Sequence, residues 1–321
     1  MTSRPRTAAL LALALALAGC GGVTSDAAGG AGSGDGGDRP VVDLAVSPWV
    51  GYEANAAVVS ELLTSELGYE VRQRRLAEEL AWQGFETGEV DVIIENWGHE
   101  DLKQLYVEER GVAVEAGPTG NEGHIGWYVP QWMVEEYPGI TDWENLNRYA
   151  EVFRTSESGG QGQLLAGDPS FVTNDEALVR NLDLDYTVVY SGSEATSIRV
   201  AQQAARQREP LLFYFYEPQW LHAQEDFARV ELPEWTPGCD DDPQAVACAY
   251  PPYELDKVVS ASFAEEGGAA YDLVRAFRWS NEDQDAVADM ITNAGMSPEE
   301  AARAWLADNE ETWRAWMPES S

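Results

Sequence analysis

The sequence predicts an α/β protein with parallel strands covered by helices, and two observations carry that prediction. Short apolar runs alternate with stretches of helical periodicity, and two strand–helix–strand series follow one another along the chain. The run Leu211-Leu212-Phe213-Tyr214-Phe215 is also continuous rather than alternating, as in a strand buried on both faces.

In chain order, the first series opens with a strand over residues 41–46. A helix over 53–67 follows and places Ala54, Val58 and Leu62 on one face. A strand over 69–73, a helix over 77–87 and a strand over 90–94 complete the series. After a helix over 102–109, a strand over 123–129 begins the second half, and 142–153 is helical in pattern. The Gly-rich loop 156–162 leads to a short strand over 163–166 and the turn Gly167-Asp168-Pro169-Ser170. Thr173-Asn174-Asp175-Glu176 has capping-box spacing and opens a helix running to about Asn181. A strand over 186–190, a helix over 194–208 and the strand 211–215 close the second series. Helices over 268–277 and 282–293 end the chain, with a last one from Ser297-Pro298-Glu299-Glu300, a second capping box with Pro at the first helical position.

Three strands end in aromatic residues. The strand 41–46 leads to Ser47-Pro48-Trp49, 90–94 leads to Glu95-Asn96-Trp97, and 211–215 leads to Tyr216-Glu217-Pro218-Gln219-Trp220. Ligands of open α/β sheets bind beyond the carboxyl ends of the strands, so these rings are candidate walls of one pocket. Ring faces attract a cation by about 0.5–2 kcal/mol, more in a desolvated cage, and they read a quaternary ammonium that has no N–H to donate. Ordinary packing is the alternative for any one ring. Glu95, Asp168 and Glu217 stand at the same strand ends; they either add negative charge to the pocket or cap neighbouring helices.

The chain has 321 residues, 56 Asp plus Glu against 20 Lys plus Arg, and a formal net charge of -36. Such a field repels nucleic acid and anionic lipid and concentrates cations. Residues 1–19 read as a signal peptide, with Arg4 and Arg6 ahead of a Leu/Ala run. Its end, Leu17-Ala18-Gly19-Cys20, resembles a bacterial lipobox, which implies lipidation of Cys20 and an extracytoplasmic protein anchored to the cell membrane; an ordinary secretory signal is the alternative. Residues 20–40 then form a tether of Gly, Ser, Ala and Asp. Cys239 and Cys248, close in sequence in an exported protein, suit a disulfide stapling a surface loop. A metal site with Asp240 to Asp242 is the sharper alternative, but thiolate and carboxylate match one ion poorly.

Two acids and aromatic platforms at a cleft also fit a glycoside hydrolase, although no spacing singles out an acid–base pair. A polyamine-binding protein is another alternative, one that would favour carboxylates over rings. His99, His124 and His222 are scattered, and no nucleophile elbow, phosphate loop or zinc motif occurs, so neither cofactor nor metal is expected.

Pro48-Trp49-Val50-Gly51-Tyr52, Glu95-Asn96-Trp97, Glu217-Pro218-Gln219-Trp220, Trp82-Gln83-Gly84-Phe85-Glu86-Thr87-Gly88 and Ser297-Pro298-Glu299-Glu300-Ala301-Ala302 together resemble the glycine betaine/choline-type substrate-binding proteins of ABC transporters. The resemblance runs from Val41 to Met317. It implies a two-lobed periplasmic-binding-protein-like fold, each lobe a mostly parallel sheet covered by helices. Residues 41–120 and 226–321 would form lobe 1 and 121–225 lobe 2, with a hinge between them. It also implies a binding rather than catalytic role, a permease partner in the membrane, and a quaternary amine such as glycine betaine, choline, carnitine or proline betaine as ligand. Trp49 and Trp97 match the box of the first lobe, Tyr216 stands where the second lobe commonly has tryptophan, and Trp220 is a candidate fourth ring. No arginine stands at these strand ends, and Glu95, Asp168 and Glu217 there would suit a ligand without a carboxylate, such as choline.

Overall fold

The computed structural model describes residues 39–318. The expected signal peptide, Cys20 and the tether up to Asp38 lie outside the described residues. The strands are β1 (Val41–Val46), β2 (Glu70–Arg75), β3 (Val92–Asn96), β4 (Ala113–Pro130), β5 (Gly162–Ala166), β6 (Tyr186–Tyr190), β7 (Phe213–Glu217), β8 (Phe227–Arg229) and β9 (Pro252–Ser260). They make one sheet in the order β2-β1-β3-β9-β4-β7-β5-β6, with β8 beside β4.

Two parallel trios stand at either side of this sheet. β1 pairs in parallel with β2 and β3, and β5 pairs in parallel with β6 and β7. Both trios come from the expected βαβ series, whose continuous apolar runs are buried: Leu44, Val92, Ile94 and Phe213 have no exposed surface. Between the trios run β9 and β4, antiparallel to each other and to their outer neighbours. β9 pairs with β3 of the first trio, and β4 pairs with β9 from Ala113 to His124 and with β7 of the second trio from His124 to Tyr128, so these two strands together carry the sheet from one trio to the other.

These two strands are where the structure departs from the sequence pattern. β4 begins at Ala113, not at residue 123, because Gly117, Pro118 and Gly120 read as turn residues. The register shifts on either side of Pro118 absorb them as bulges, with Gly117 and Gly120 at positive φ. β9 was not expected at all, since Asp256 and Lys257 interrupt its apolar run. Lys257 is fully buried, and its Nζ donates to the carbonyls of Arg275 (3.0 Å) and Phe277 (2.6 Å) at the carboxyl end of the helix Gly268–Ala276.

Helices pack on the sheet largely as the periodicity predicts. The helix Val50–Ser65 buries Val58, Val59, Leu62 and Leu63 and packs against the helices Asn281–Thr292 and Pro298–Asp308. Each fully buried Leu contributes about 1.5–3 kcal/mol. The Ser297–Glu300 capping box forms, with Pro298 at the helix start. Residues 142–153 form a 3-10 helix, Trp143–Phe153, and 102–109 become a short α-helix, Glu100–Lys103, running into a π-helical turn, Gln104–Glu109.

The expected capping box at Thr173–Glu176 does not form; the cap residue of the helix Asp175–Asn181 is Asn174, without a side-chain cap bond. Asp175 is instead buried, and its Oδ1 accepts from Trp127 Nε1 (2.7 Å) and from the Tyr250 hydroxyl (2.9 Å). Asp175→Ala leaves both donors buried without a partner, so unfolding free energy should fall by about 2–4 kcal/mol in urea denaturation. A loss under about 0.5 kcal/mol would show that the carboxylate does not hold β4 to the segment around Tyr250.

Candidate functional site

The carboxyl ends of β1, β3 and β7 converge on a cleft of about 1300 Å³. Trp49, which follows β1, Trp97, which follows β3, and Tyr216 on β7 all line it. Trp97 lies edge-on to Tyr216 with ring centroids 5.7 Å apart, and Phe171 bridges Trp49 (5.6 Å) and Tyr216 (6.4 Å) in the same manner. Edge-to-face contacts of this kind add about 0.5–1.5 kcal/mol each beyond burial. A Cβ on Gly123 would stand 2.6 Å from Cζ3 of Trp97, so β4 backs this ring at a distance only glycine allows.

Beneath the two indoles lies Glu95. Its Oε1 accepts from Trp49 Nε1 (2.8 Å) and Trp97 Nε1 (2.7 Å). Its Oε2 accepts from Asn55 Nδ2, on the helix Val50–Ser65, and from Gln284 Nε2 (3.3 Å). Burial pushes the Glu95 carboxyl up to about 7, against the pull of the donors from Trp49, Trp97 and Asn55.

A second buried carboxylate, Glu194, stands at the start of the helix Glu194–Gln207. Oε2 accepts from the backbone N–H of Val50 (2.8 Å), the first residue of the helix after Trp49. Oε1 accepts from the Tyr216 hydroxyl and from Gln219 Nε2 (2.9 Å). Burial raises this carboxyl above its ordinary range as well.

The other expected site residues lie elsewhere. Trp220 is buried, its indole nitrogen has no partner among the described residues, and it is not among the residues lining the cleft. The Asp168 carboxylate accepts from the backbone N–H (2.8 Å) and hydroxyl (2.6 Å) of Ser170 and so serves its own turn. Glu217 accepts from the Tyr128 hydroxyl at 3.3 Å, away from the cleft lining. His222 packs among Tyr128, Phe215 and Phe227, where burial lowers its pKa.

Cys239 and Cys248 are disulfide-bonded, and the loop they close rims the cleft with Asp240, Asp241 and Pro243. Phe171, Tyr214, Tyr250 and Tyr253 also line the cleft but were not picked out from the sequence. Only Tyr250 and Tyr253 carried a local signal, as aromatics flanking Pro251-Pro252 after the cysteine loop. Among the described residues no group of His, Cys, Asp and Glu is arranged to hold a metal ion, and no helix is long and apolar enough to cross a membrane.

A mixed sheet flanked by helices, with an aromatic cleft at the strand ends, is the periplasmic-binding-protein-like fold. The chain belongs to the family described as the substrate-binding domain of ABC-type glycine betaine transport systems, whose model matches residues 40–308. The trimethylamine N-oxide-binding protein of Pelagibacter ubique is 24% identical over 286 residues, 86% of this chain and 90% of the relative. Two solved structures share the fold. Lactococcal OpuAC, in its closed form with glycine betaine, gives a TM-score of 0.67 at 21% identity, over 87% of this chain and 100% of that one. An ABC-transporter choline-binding protein in complex with choline gives 0.70 at 19% identity, over 86% and 91%.

The raised Glu95 carboxyl has a sign. The folded state keeps this proton from about pH 4.5 to about 7, while the unfolded chain loses it, so stability falls with rising pH across that window. The full effect is roughly 3 kcal/mol at 1.36 kcal/mol per pH unit. Glu95→Gln should therefore lose stability less than wild type between pH 5 and pH 8 in matched denaturant melts. Parallel pH profiles for the two proteins would refute the assignment.

Proposed function

We propose that the protein captures a small compound with a trimethylated nitrogen outside the cell and passes it to an ABC importer, catalysing no reaction. One observation carries the reading: the indole edges of Trp49 and Trp97 meet on a single oxygen of Glu95, while the rings line the cleft beside Tyr216. A buried carboxylate behind π-faces suits a cation that offers no N–H. Trimethylamine N-oxide, glycine betaine and choline, named for the relatives, share a nitrogen bearing three methyl groups.

Substrate-binding proteins of ABC importers work outside the cytoplasm. In this reading a lipid on Cys20 holds the domain at the membrane, and residues 20–40 give it reach. Lobe 1, residues 41–120 and 226–321, and lobe 2, residues 121–225, close around the ligand. Trp49 and Trp97 then face Tyr216 across it, and the closed form is the one the permease distinguishes.

Calorimetric titration of residues 39–321 with choline, glycine betaine, carnitine and trimethylamine N-oxide, against spermidine and glucose, tests this. One-to-one binding of trimethylated ligands alone is expected. Trp97→Ala should cost about 1–3 kcal/mol of that affinity with the fold intact by circular dichroism. Unchanged affinity in Trp97→Ala would remove this ring from the site.

A further inference from the structure

Glu95 lines not the cleft but another, much smaller cavity. Its volume is about 10 Å³, roughly the space one water needs, and its polar lining is Ser47, Glu78, Glu95, Asn96 and His99. Ser47, Glu95 and Asn96 are each 2% exposed. Two polar atoms of this lining, Asn96 Oδ1 and His99 Nε2, are buried without a hydrogen bond among the described residues. The Asn96 amide nitrogen donates to the carbonyl of Gly98 (2.8 Å) and to Asp256 Oδ1 (2.7 Å), which fixes the other end of the amide as the oxygen. That oxygen therefore lacks a donor. A water that donates to it, with Ser47, Glu95 and His99 around, has the two to four polar partners an internal water takes.

The same cavity gives the Glu95 proton an outlet. All four groups bonded to Glu95, on Trp49, Trp97, Asn55 and Gln284, are N–H donors, whereas a protonated carboxyl needs an acceptor for its own O–H. A water in the cavity would supply that acceptor. Glu78 and His99, 3.4 Å apart, are the two residues that line both the cavity and the cleft. Burial, with the charge of Glu78 as a smaller contribution, pushes the Glu95 carboxyl up to about 7. Burial works to lower the His99 pKa, but Glu78, Asp101 and Glu79 outweigh it and hold the ring above its ordinary value. Tyr52 and Tyr216 also face Glu95, and burial keeps both hydroxyls protonated.

Resting on the reading of a trimethylammonium site, we infer that this cavity holds a water through which Glu95 exchanges a proton with the cleft by way of His99 and Glu78, so that capture of the cation releases a proton. A positive charge entering the box favours the ionised form of Glu95. The O–H bond of the carboxyl breaks and its electron pair stays on Glu95. The proton passes to the water, then to the Glu78–His99 pair, and then to solvent in the cleft. One positive charge enters and one leaves, so the buried site keeps its net charge. Affinity for a permanent cation therefore rises with pH until the free protein is ionised as well.

Calorimetric titration with choline or glycine betaine, neither of which titrates near pH 6, in buffers of different ionisation enthalpy counts the protons. Wild type should release about half to one proton per ligand at pH 6 and close to none at pH 8.5, with affinity rising about tenfold between them. Glu95→Gln should release none at either pH. A heat of binding independent of buffer at pH 6, or the same release in Glu95→Gln, overturns the linkage. The route is read without ligand, as a tryptophan fluorescence phase that follows a laser-released proton jump to pH 6 and is absent from Glu95→Gln. His99→Asn, which accepts the same left-handed backbone but carries no titrating proton, should slow that phase at least about tenfold. Absence of the phase from wild type, or an unchanged rate in His99→Asn, overturns the route. A wild type that shows the phase but binds neither ligand would instead bring down the trimethylammonium reading itself.

Discussion

Two indole N–H groups sharing one buried carboxylate oxygen are the contact on which the rest of the cleft depends. A carboxylate taken out of water costs several kcal/mol unless donors replace its hydration. Glu95 has four: the indoles of Trp49 and Trp97, and the amides of Asn55 and Gln284. These partners belong to the end of β1, the end of β3, the helix Val50–Ser65 and the helix Asn281–Thr292. Satisfying one acid therefore joins four segments and sets the edges of two rings at once. The raised carboxyl shows that the donors offset burial only in part.

Glu194 repeats the device from the other trio, with Val50 supplied by the first half of the chain and Tyr216 and Gln219 by the second. A chain with 56 acids and 20 bases cannot pair most of its carboxylates with cations. Around the cleft it uses Trp, Tyr, Asn and Gln as neutral donors instead, which satisfy a carboxylate without cancelling its charge. Its ion pairs are mostly exposed, as with Arg72–Glu70 and Arg314–Glu310, and such pairs contribute about 0–1 kcal/mol. The acids near the aromatic rings are thus solvated by neutral protein donors rather than paired with cations.

The antiparallel pair β4 and β9 gives this arrangement its frame. β4 joins β9 to the second trio, backs Trp97 through Gly123 and carries Trp127 to Asp175. Asp175 in turn fixes Tyr250, next to the disulfide loop at the cleft rim. Fold and site therefore share residues.

The α/β class, the two βαβ series, the aromatic strand ends and the Ser297 cap were legible in the sequence because each is a local signal: periodicity, a continuous apolar run, or a cap three residues from its partner. β9 was hidden because its buried Lys257 is satisfied by carbonyls from another segment, and the first half of β4 because its Gly and Pro sit at bulges. Trp220 shared the spacing of a box residue and became core, while Phe171 and Tyr214 reached the cleft without a motif. The sequence by itself determined which residue types stand at the strand ends. Only the tertiary structure decided which of them share a cleft, since Glu95 meets Trp49 and Gln284 across 46 and 189 residues of chain, and no local pattern encodes a contact at that distance.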